Sequence, residues 1–171
     1  METEPKDVIV LGSIRRGAKK FANIQNETKI SPEELNSILE ELENKKFIKV
    51  EEKKGLFGKK IELKITEKGS NALDKKIIEI QDKWKEMQSI YQSGDKQKLQ
   101  QKMEENKSIL PSMMFFGLMD MMMFSMMFSM MGIGMSDYIS QENIPNEGMD
   151  DGGMDDGGFD FDIGFYSVFY T

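Results

Sequence analysis

The chain has 171 residues, which suits one domain with appendages, and it contains neither cysteine nor histidine. This composition excludes disulfide bonds, thiolate metal sites, Cys or His nucleophiles and the usual histidine proton shuttle. No apolar run follows the start Met1-Glu2-Thr3-Glu4, so no secretory signal is predicted and a cytoplasmic protein is expected.

The net charge of −7 is unevenly distributed along the chain. Residues 111–171 carry 10 acidic side chains and no Lys or Arg, whereas residues 1–70 carry 15 basic against 13 acidic side chains. The sequence therefore predicts a slightly basic N-terminal domain attached to a strongly acidic C-terminal third.

A first helix is predicted from Pro5, with an apolar side formed by Val8, Ile9, Leu11 and Ile14. A basic cluster follows it, made of Arg15, Arg16, Lys19 and Lys20. Two interpretations of this cluster are open. The side chains either contact phosphates of a nucleic acid, or they form a solvated helix end whose cations favour the C-terminal dipole.

The clearest helix signal begins at Ser31, which can cap a helix with Pro32 at its first position and Glu34 three residues after the cap. Its apolar stripe is Leu35, Ile38, Leu39 and Leu42, and the helix is expected to end near residues 45–46. On the opposite face, Asn36 and Ser37 are candidates for contact with DNA base edges. Three glutamates on that face would approach phosphates unfavourably; they are Glu40, Glu41 and Glu43.

Two strands are predicted next, over residues 47–51 and 60–66, because polar and apolar side chains alternate in the second one. Residues 52–59 between them form a predicted basic loop with two glycines. The candidate DNA-contacting lysines of this wing are Lys53, Lys54, Lys59 and Lys60. Leu56 and Phe57 at its tip are unusual for phosphate binding, so they either fold back on the domain or dock on a partner.

Helix, two-stranded ribbon and helix is the layout of a winged helix-turn-helix domain. The stretch from Lys20 to Ile30 resembles the lead-in of the second helix and turn in archaeal and bacterial winged-helix regulators, and Ile65-Thr66-Glu67-Lys68-Gly69 resembles the end of the wing in the MarR and PadR groups. The resemblance covers about residues 6–87. It implies binding of double-stranded DNA in transcriptional regulation, although winged helices also serve as protein-binding modules.

A long helix is predicted from Gly69 to about Gln92, because large apolar residues recur with heptad spacing. This seam consists of Leu73, Ile77, Ile80, Trp84 and Met87. It predicts either a homodimer interface, as in several winged-helix regulator families that the chain resembles, or an intramolecular helical hairpin. Asp95 can cap a second helix that extends to about Lys107.

The segment Met113–Met135 contains 11 methionines and 4 phenylalanines, with Asp120 as its single charge. Three interpretations are open. The segment has the length of a membrane span; its thioethers suit Cu(I); or it is an adaptable apolar surface for a protein partner or a second copy of the chain. The interrupting glycines and Asp120 argue against the membrane span, and the density of methionine produces M-x-x-M spacings without design.

The remaining residues predict an acidic, Gly-rich low-complexity tail with a repeated M-D-D-G-G motif at Met149 and Met154. Phe159–Phe165, in the tail's aromatic end, is similar in character to the acidic, Phe-terminated tails of bacterial single-stranded-DNA-binding proteins, which recruit partners. The alternative is a segment that adds a β-strand to a sheet.

The predicted fold is mainly α with a small β-wing: a winged helix-turn-helix followed by a long C-terminal helix or helical hairpin, a Met-rich helical segment and a disordered acidic tail. The predicted regions are residues 5–69, 70–108, 109–135 and 136–171. No catalytic constellation, metal site or cofactor motif is found, so a non-enzymatic protein is predicted. The leading function is DNA binding in transcription regulation; the alternatives are a protein-interaction adaptor and a copper- or membrane-responsive sensor.

The charge division predicts that the acidic tail weakens DNA binding by the basic domain. A tether holds its carboxylates at high effective concentration near the cationic side chains, and salt screens this attraction over about 10 Å at 0.1 M. Removing residues 146–171 should therefore strengthen binding to duplex DNA at low salt, with the gain fading as salt rises. Equal affinities of the full and shortened chains at low salt, measured by fluorescence anisotropy, would contradict this prediction.

Overall fold

The protein is described by a computed structural model that covers residues 5–139. The predicted tail therefore lies largely outside the described residues, and Phe159–Phe165 lies entirely outside them. The chain forms two compact units, one extending to Ser89 and the other beginning at Ile90. The predicted domain boundaries stay predictions, and the division between the compact units falls inside the long helix.

The first unit has the element order of a winged helix-turn-helix domain, as predicted. Its helices are α1 (Pro5–Arg15), α2 (Phe21–Thr28) and α3 (Pro32–Asn44). Strands β1 (Ile48–Gly55) and β2 (Gly58–Ile65) form the antiparallel wing. Helix α4 (Glu67–Ser93) follows and continues past the boundary into the second unit.

Helix α1 is the central element of the first unit. It is buried from Asp7 to Ile14, including Val10, Gly12 and Ser13. A helix that is apolar nearly all round belongs inside a domain rather than on its surface. The α2 and α3 helices add Ile24, Leu35, Ile38 and Leu42 to this core, all at most 8% exposed.

The predicted signals at both ends of α3 are confirmed. The Ser31 hydroxyl accepts a hydrogen bond from the Glu34 amide at 3.4 Å, and Pro32 opens the helix. At the other end, the Phe47 amide donates to the Leu42 carbonyl and the Lys46 amide to the Glu43 carbonyl. This is a Schellman arrangement, which places Lys46 in the left-handed region with φ 61°.

The wing strands are longer than predicted. They pair from Ile48 with Ile65 to Gly55 with Gly58, so the chain reverses through Leu56 and Phe57 alone. The prediction of a loop over residues 52–59 was wrong. Ion pairs between the strands, Lys53 with Glu62 and Lys59 with Glu52, support the extended ladder because opposite charges on one face of a sheet attract.

The junction between the wing and α4 is unusually tight. The Thr66 hydroxyl donates to the Lys46 carbonyl at 2.7 Å and accepts from the Gly69 amide at 3.1 Å, which caps α4. The Thr66 amide donates to the Phe47 carbonyl at 2.9 Å. A Cβ atom on Gly69 would lie 2.1 Å from that same Phe47 oxygen, so only glycine fits at this position.

The predicted seam of α4 is buried within the single chain. Leu73, Ile77, Ile80, Trp84 and Met87 are each at most 4% exposed. A dimer interface made of these five side chains stays a prediction, and in this conformation they offer almost no free surface. The large apolar side chain of α4 that does reach solvent is Ile78, which is 51% exposed.

The second unit contains the Met-rich segment, which is helical as predicted but broken. Helix α5 (Lys96–Glu105), capped by Asp95, is followed by a 3₁₀ turn, α6 (Leu110–Phe115), α7 (Met121–Met131) and a second 3₁₀ turn. Asp120, the single charge of the segment, caps α7 by accepting from the Met122 and Met123 amides at 3.0 and 3.2 Å. Across residues 5–139, no helix combines the length and apolar character that a membrane crossing requires.

The core of the second unit is made by α5 and α7. Phe124 stacks edge-on against Phe128 with ring centroids 4.8 Å apart, and Phe128 lies 5.4 Å from the Tyr138 ring. Methionine side chains fill the rest of this core: Met103, Met113 and Met127 are fully buried. Met122 and Met126 face solvent instead, at 71% and 48% exposed. Part of the methionine content therefore packs inside the chain.

Replacing Gly69 by Ala should destabilise the first unit by about 1–3 kcal/mol, because the added methyl group meets the Phe47 backbone. The sign opposes helix propensity, which favours Ala over Gly by about 1 kcal/mol. The matched control is Asn71→Ala, an exposed position of the same helix that should gain up to about 0.5 kcal/mol. Urea unfolding of both variants tests this, and a stabilised Gly69→Ala protein would contradict the junction geometry.

Candidate nucleic-acid interface

A groove of about 730 Å³ lies between the start of α2, the outer face of α3 and the wing. Its floor is apolar and is lined by Phe21, Ala22, Leu39, Ile48, Val50, Ile61 and Leu63. Its polar lining consists of Lys19, Lys20, Asn36, Glu40, Glu43 and Lys60. The groove thus brings together side chains that lie on three separate elements.

The apolar floor comes from the alternation of side chains along the wing. Residues Ile48 and Val50 of β1 pair with Ile65 and Leu63 of β2, so their side chains share one face of the ribbon. Toward the tip this face becomes open, with Val50 42% and Ile61 60% exposed. The strand pattern indicated this face, but it did not indicate that a groove separates it from α3.

Helix α2 directs its N-terminus toward the groove. Lys20 occupies the cap position in an extended conformation, with no side-chain hydrogen bond to the helix. The Lys19 carbonyl accepts a hydrogen bond from the Leu63 amide at 2.8 Å, which fixes this basic stretch beside β2. Lys19 and Lys20, both exposed, therefore stand at a helix N-terminus, where the partial positive charge of the peptide dipoles adds to their own.

Helix α3 presents a face of mixed chemistry. Asn36 and Ser37 are exposed in its first half, and Asn36 lines the groove. One and two turns further along, Glu40 and Glu43 also line it. The two candidate base-contacting residues are thus accessible, and the acidic residues lie on the same side of the helix as Asn36.

Two members of the predicted basic cluster have other partners. The Arg15 guanidinium donates to Asp74 at 2.6 Å and to Ser70 at 3.2 Å, both on α4, and its side chain is only 16% exposed. Partial burial lowers the pKa of Arg16, and the nearby Glu27 carboxylate opposes that shift. Neither residue lines the groove, so their role in DNA contact stays a prediction.

The four wing lysines lie on both faces of the ribbon. Lys53 pairs with Lys60 and Lys54 with Lys59 in the strand register, so one pair of side chains points to each face. The Nζ atom of Lys53 lies 3.0 Å from Oε2 of Glu62, and the Nζ atom of Lys59 lies 3.7 Å from Oε2 of Glu52. In the part of the chain that the structure describes, Lys54 and Lys60 have no ion-pair partner. These two cations are the most available of the wing.

The base of the wing is held by a separate ion-pair cluster. Hydrogen bonds from Lys64 and Lys49, at 2.8 and 2.9 Å, lower the pKa of the Glu51 carboxyl to about 2. The same contact raises the pKa of Lys64.

The groove and wing together offer free ammonium groups, helix amides and an apolar floor. Among residues 5–139, no group of three His, Cys, Asp or Glu side chains is placed to hold a metal ion.

The family comparison agrees with this geometry. The model of the family described as HxlR-like helix-turn-helix matches residues 5–93, just over half of the chain, including α1 to α4 and the wing. The chain belongs to the HxlR-like helix-turn-helix family. Neither the curated proteins nor the solved structures gave a match.

Membership of the HxlR-like family makes the predicted resemblance more definite. A winged helix-turn-helix domain of the regulator type is confirmed, but the MarR and PadR groups are not specifically supported. The short motifs at residues 20–30 and 65–69 describe a turn and a helix start, so they do not distinguish one group of winged helices from another. The alternative of a protein-interaction adaptor receives no support from the family match.

The Glu51 cluster predicts a specific pH dependence. Because the folded pKa of Glu51 lies near 2, below its ordinary value of 4.5, the stability it contributes is present above about pH 4.5 and is lost as pH falls toward 2. Glu51→Gln should therefore lower stability modestly at pH 7, and the difference from the original protein should shrink toward pH 3. Urea midpoints at the two pH values measure it; a constant difference would contradict the ion-pair assignment.

Proposed function

We propose that this protein binds double-stranded DNA through α3 and the wing and regulates transcription. The observation that carries the proposal is the groove with Lys19, Lys20 and Lys60 on its rim, between the helices and the wing of an HxlR-like helix-turn-helix domain. A phosphate backbone that passes along this groove would meet Lys19, Lys20 and the amides at the start of α2, with Lys60 on the adjoining strand.

The first half of α3 is the part that suits the major groove. Asn36 and Ser37 are exposed there, and their side chains can hydrogen-bond base edges. Glu40 and Glu43 oppose deep insertion of the second half, because two carboxylates beside phosphates repel them. We therefore infer that α3 enters the major groove at its N-terminal end, with the wing supplying much of the affinity.

A homodimer is part of this proposal, since paired half-sites are the usual targets of two-fold symmetric helix-turn-helix proteins. The buried state of Trp84 and its seam neighbours argues against an interface made of those residues. Exposed side chains of α4, such as Ile78, are better placed to contact a second copy. The localisation that fits a DNA-binding protein of this kind is the cytoplasm.

The availability of Lys54 and Lys60 predicts the salt dependence of DNA binding. Replacing both with Ala should reduce the slope of log affinity against log salt by about two phosphate contacts. The slope should be measured by fluorescence anisotropy with a random-sequence duplex and the full chain.

The matched control replaces Lys75 and Lys85, two exposed lysines of α4, and thus makes the same change in net charge. This control should leave the slope unchanged. Equal loss of slope in the two variants would mean that only overall charge matters, and no binding by the original protein at low salt would overturn the proposed function.

A further inference from the structure

The tip of the wing carries two large apolar side chains that contact no other side chain within residues 5–139. Leu56 and Phe57 are each 100% exposed, at the end of two eight-residue strands. They do not fold back on the domain, which was one of the two interpretations open from the sequence. The other interpretation from the sequence, that they dock on a partner, is the one that remains.

The turn itself does not explain these residues. Two-residue hairpin turns favour Asn, Asp and Gly at their central positions, since those residues tolerate the required backbone conformations. Here the glycines stand outside the central pair, and Gly58 takes the positive φ of 123°. Leu and Phe thus give the turn no conformational advantage, while burial of each on a partner strengthens binding by about tenfold or more.

The lysines behind the tip indicate what kind of partner this is. One pair of lysines points to each face of the ribbon, so the apolar tip has positive charge on both sides. The minor groove of duplex DNA has the complementary arrangement, with a phosphate backbone along each edge of a floor of stacked bases. A membrane surface would offer negative charge in one plane only. It would also leave Lys19 and Lys20, the cations at the α2 end of the groove, without a ligand.

The width of the ribbon limits which residues reach the bases. The strands of the ribbon lie about 4.8 Å apart and carry side chains on both faces, so the ribbon as a whole is wider than a minor groove of about 6 Å. Only the narrow tip can enter, and its two side chains are then the ones that meet the base edges. Leu and Phe are among the residues that enter between base pairs in proteins that bend DNA from the minor groove.

We propose that Leu56 and Phe57 form an apolar wedge that enters a base step from the minor groove and bends the duplex, an inference that rests on the proposed DNA-binding function. Such a wedge favours easily unstacked pyrimidine–purine steps over stiff A-tracts. It therefore contributes sequence preference without a hydrogen bond to a base, and it compensates for the limited entry of α3.

The test uses the full chain and duplexes that carry 2-aminopurine in repeated TA steps, since unstacking increases the fluorescence of this base. At saturation the original protein should raise the fluorescence at least about twofold, and energy transfer between dyes on the duplex ends should report bending. An A-tract duplex of equal length should give a smaller change. No fluorescence rise on a duplex that is demonstrably bound would overturn the wedge while leaving the proposed function intact.

The decisive variant is Leu56→Ser with Phe57→Ser, which removes exposed apolar groups and should not change the melting temperature. It should keep the salt slope of DNA binding, lose the fluorescence and bending signals, and bind TA-rich duplex about tenfold more weakly. Lys75→Ala with Lys85→Ala, the exposed lysine pair on α4, is the control, and at saturation it should keep both signals. A tip variant that retains both signals would overturn the wedge.

Two further outcomes separate the alternatives. Absence of duplex binding by the original protein at low salt would overturn both the proposed function and the wedge. Flotation with phosphatidylserine-containing vesicles that depends on Leu56 and Phe57, without a change in 2-aminopurine fluorescence, would assign the tip to a lipid surface and overturn the wedge.

Discussion

The hydrogen bonds and close backbone contact around Thr66 hold the wing against the helices. The hydroxyl and amide of this residue bind two carbonyls of the turn after α3, and the same hydroxyl caps α4. Gly69 lets the first turn of α4 lie against the Phe47 backbone. The end of α3, the start of β1, the end of β2 and the start of α4 are therefore tied together at one place, which sets the direction of the wing relative to α3.

The position of Lys46 at this junction has an energetic cost. A residue with a side chain in the left-handed region is less favourable than glycine by about 1 kcal/mol. The Schellman hydrogen bonds and the contact of the Lys68 ammonium with the Phe47 ring, 5.5 Å from its centroid, help to offset that cost. Because these neighbouring contacts hold the turn in this conformation, it forms with Lys46 in place of the glycine that usually occupies this position.

The charges of the first unit are arranged rather than merely abundant. Acidic and basic residues nearly balance in number, yet glutamates pair with Lys53 and Lys59, while Lys54 and Lys60 have no ion-pair partner among residues 5–139. Surface ion pairs of this kind contribute little to stability, so their main effect is on where free positive charge remains. In the second unit, flexible methionine side chains fill the core around Phe124 and Phe128.

The sequence by itself determined the elements of the first unit, because they depend on local patterns. Ser31 and Pro32 start α3, alternation marks β2, and the heptad spacing of α4 marks its buried side. Strand length was decided by pairing across the hairpin, where ion pairs such as Lys53 with Glu62 join two strands that were each assigned from their own pattern. The partners of Arg15 were decided only by the tertiary structure, since Asp74 lies 59 residues further along the chain. The groove likewise depends on the gap between elements, and no local pattern encodes a distance between two surfaces.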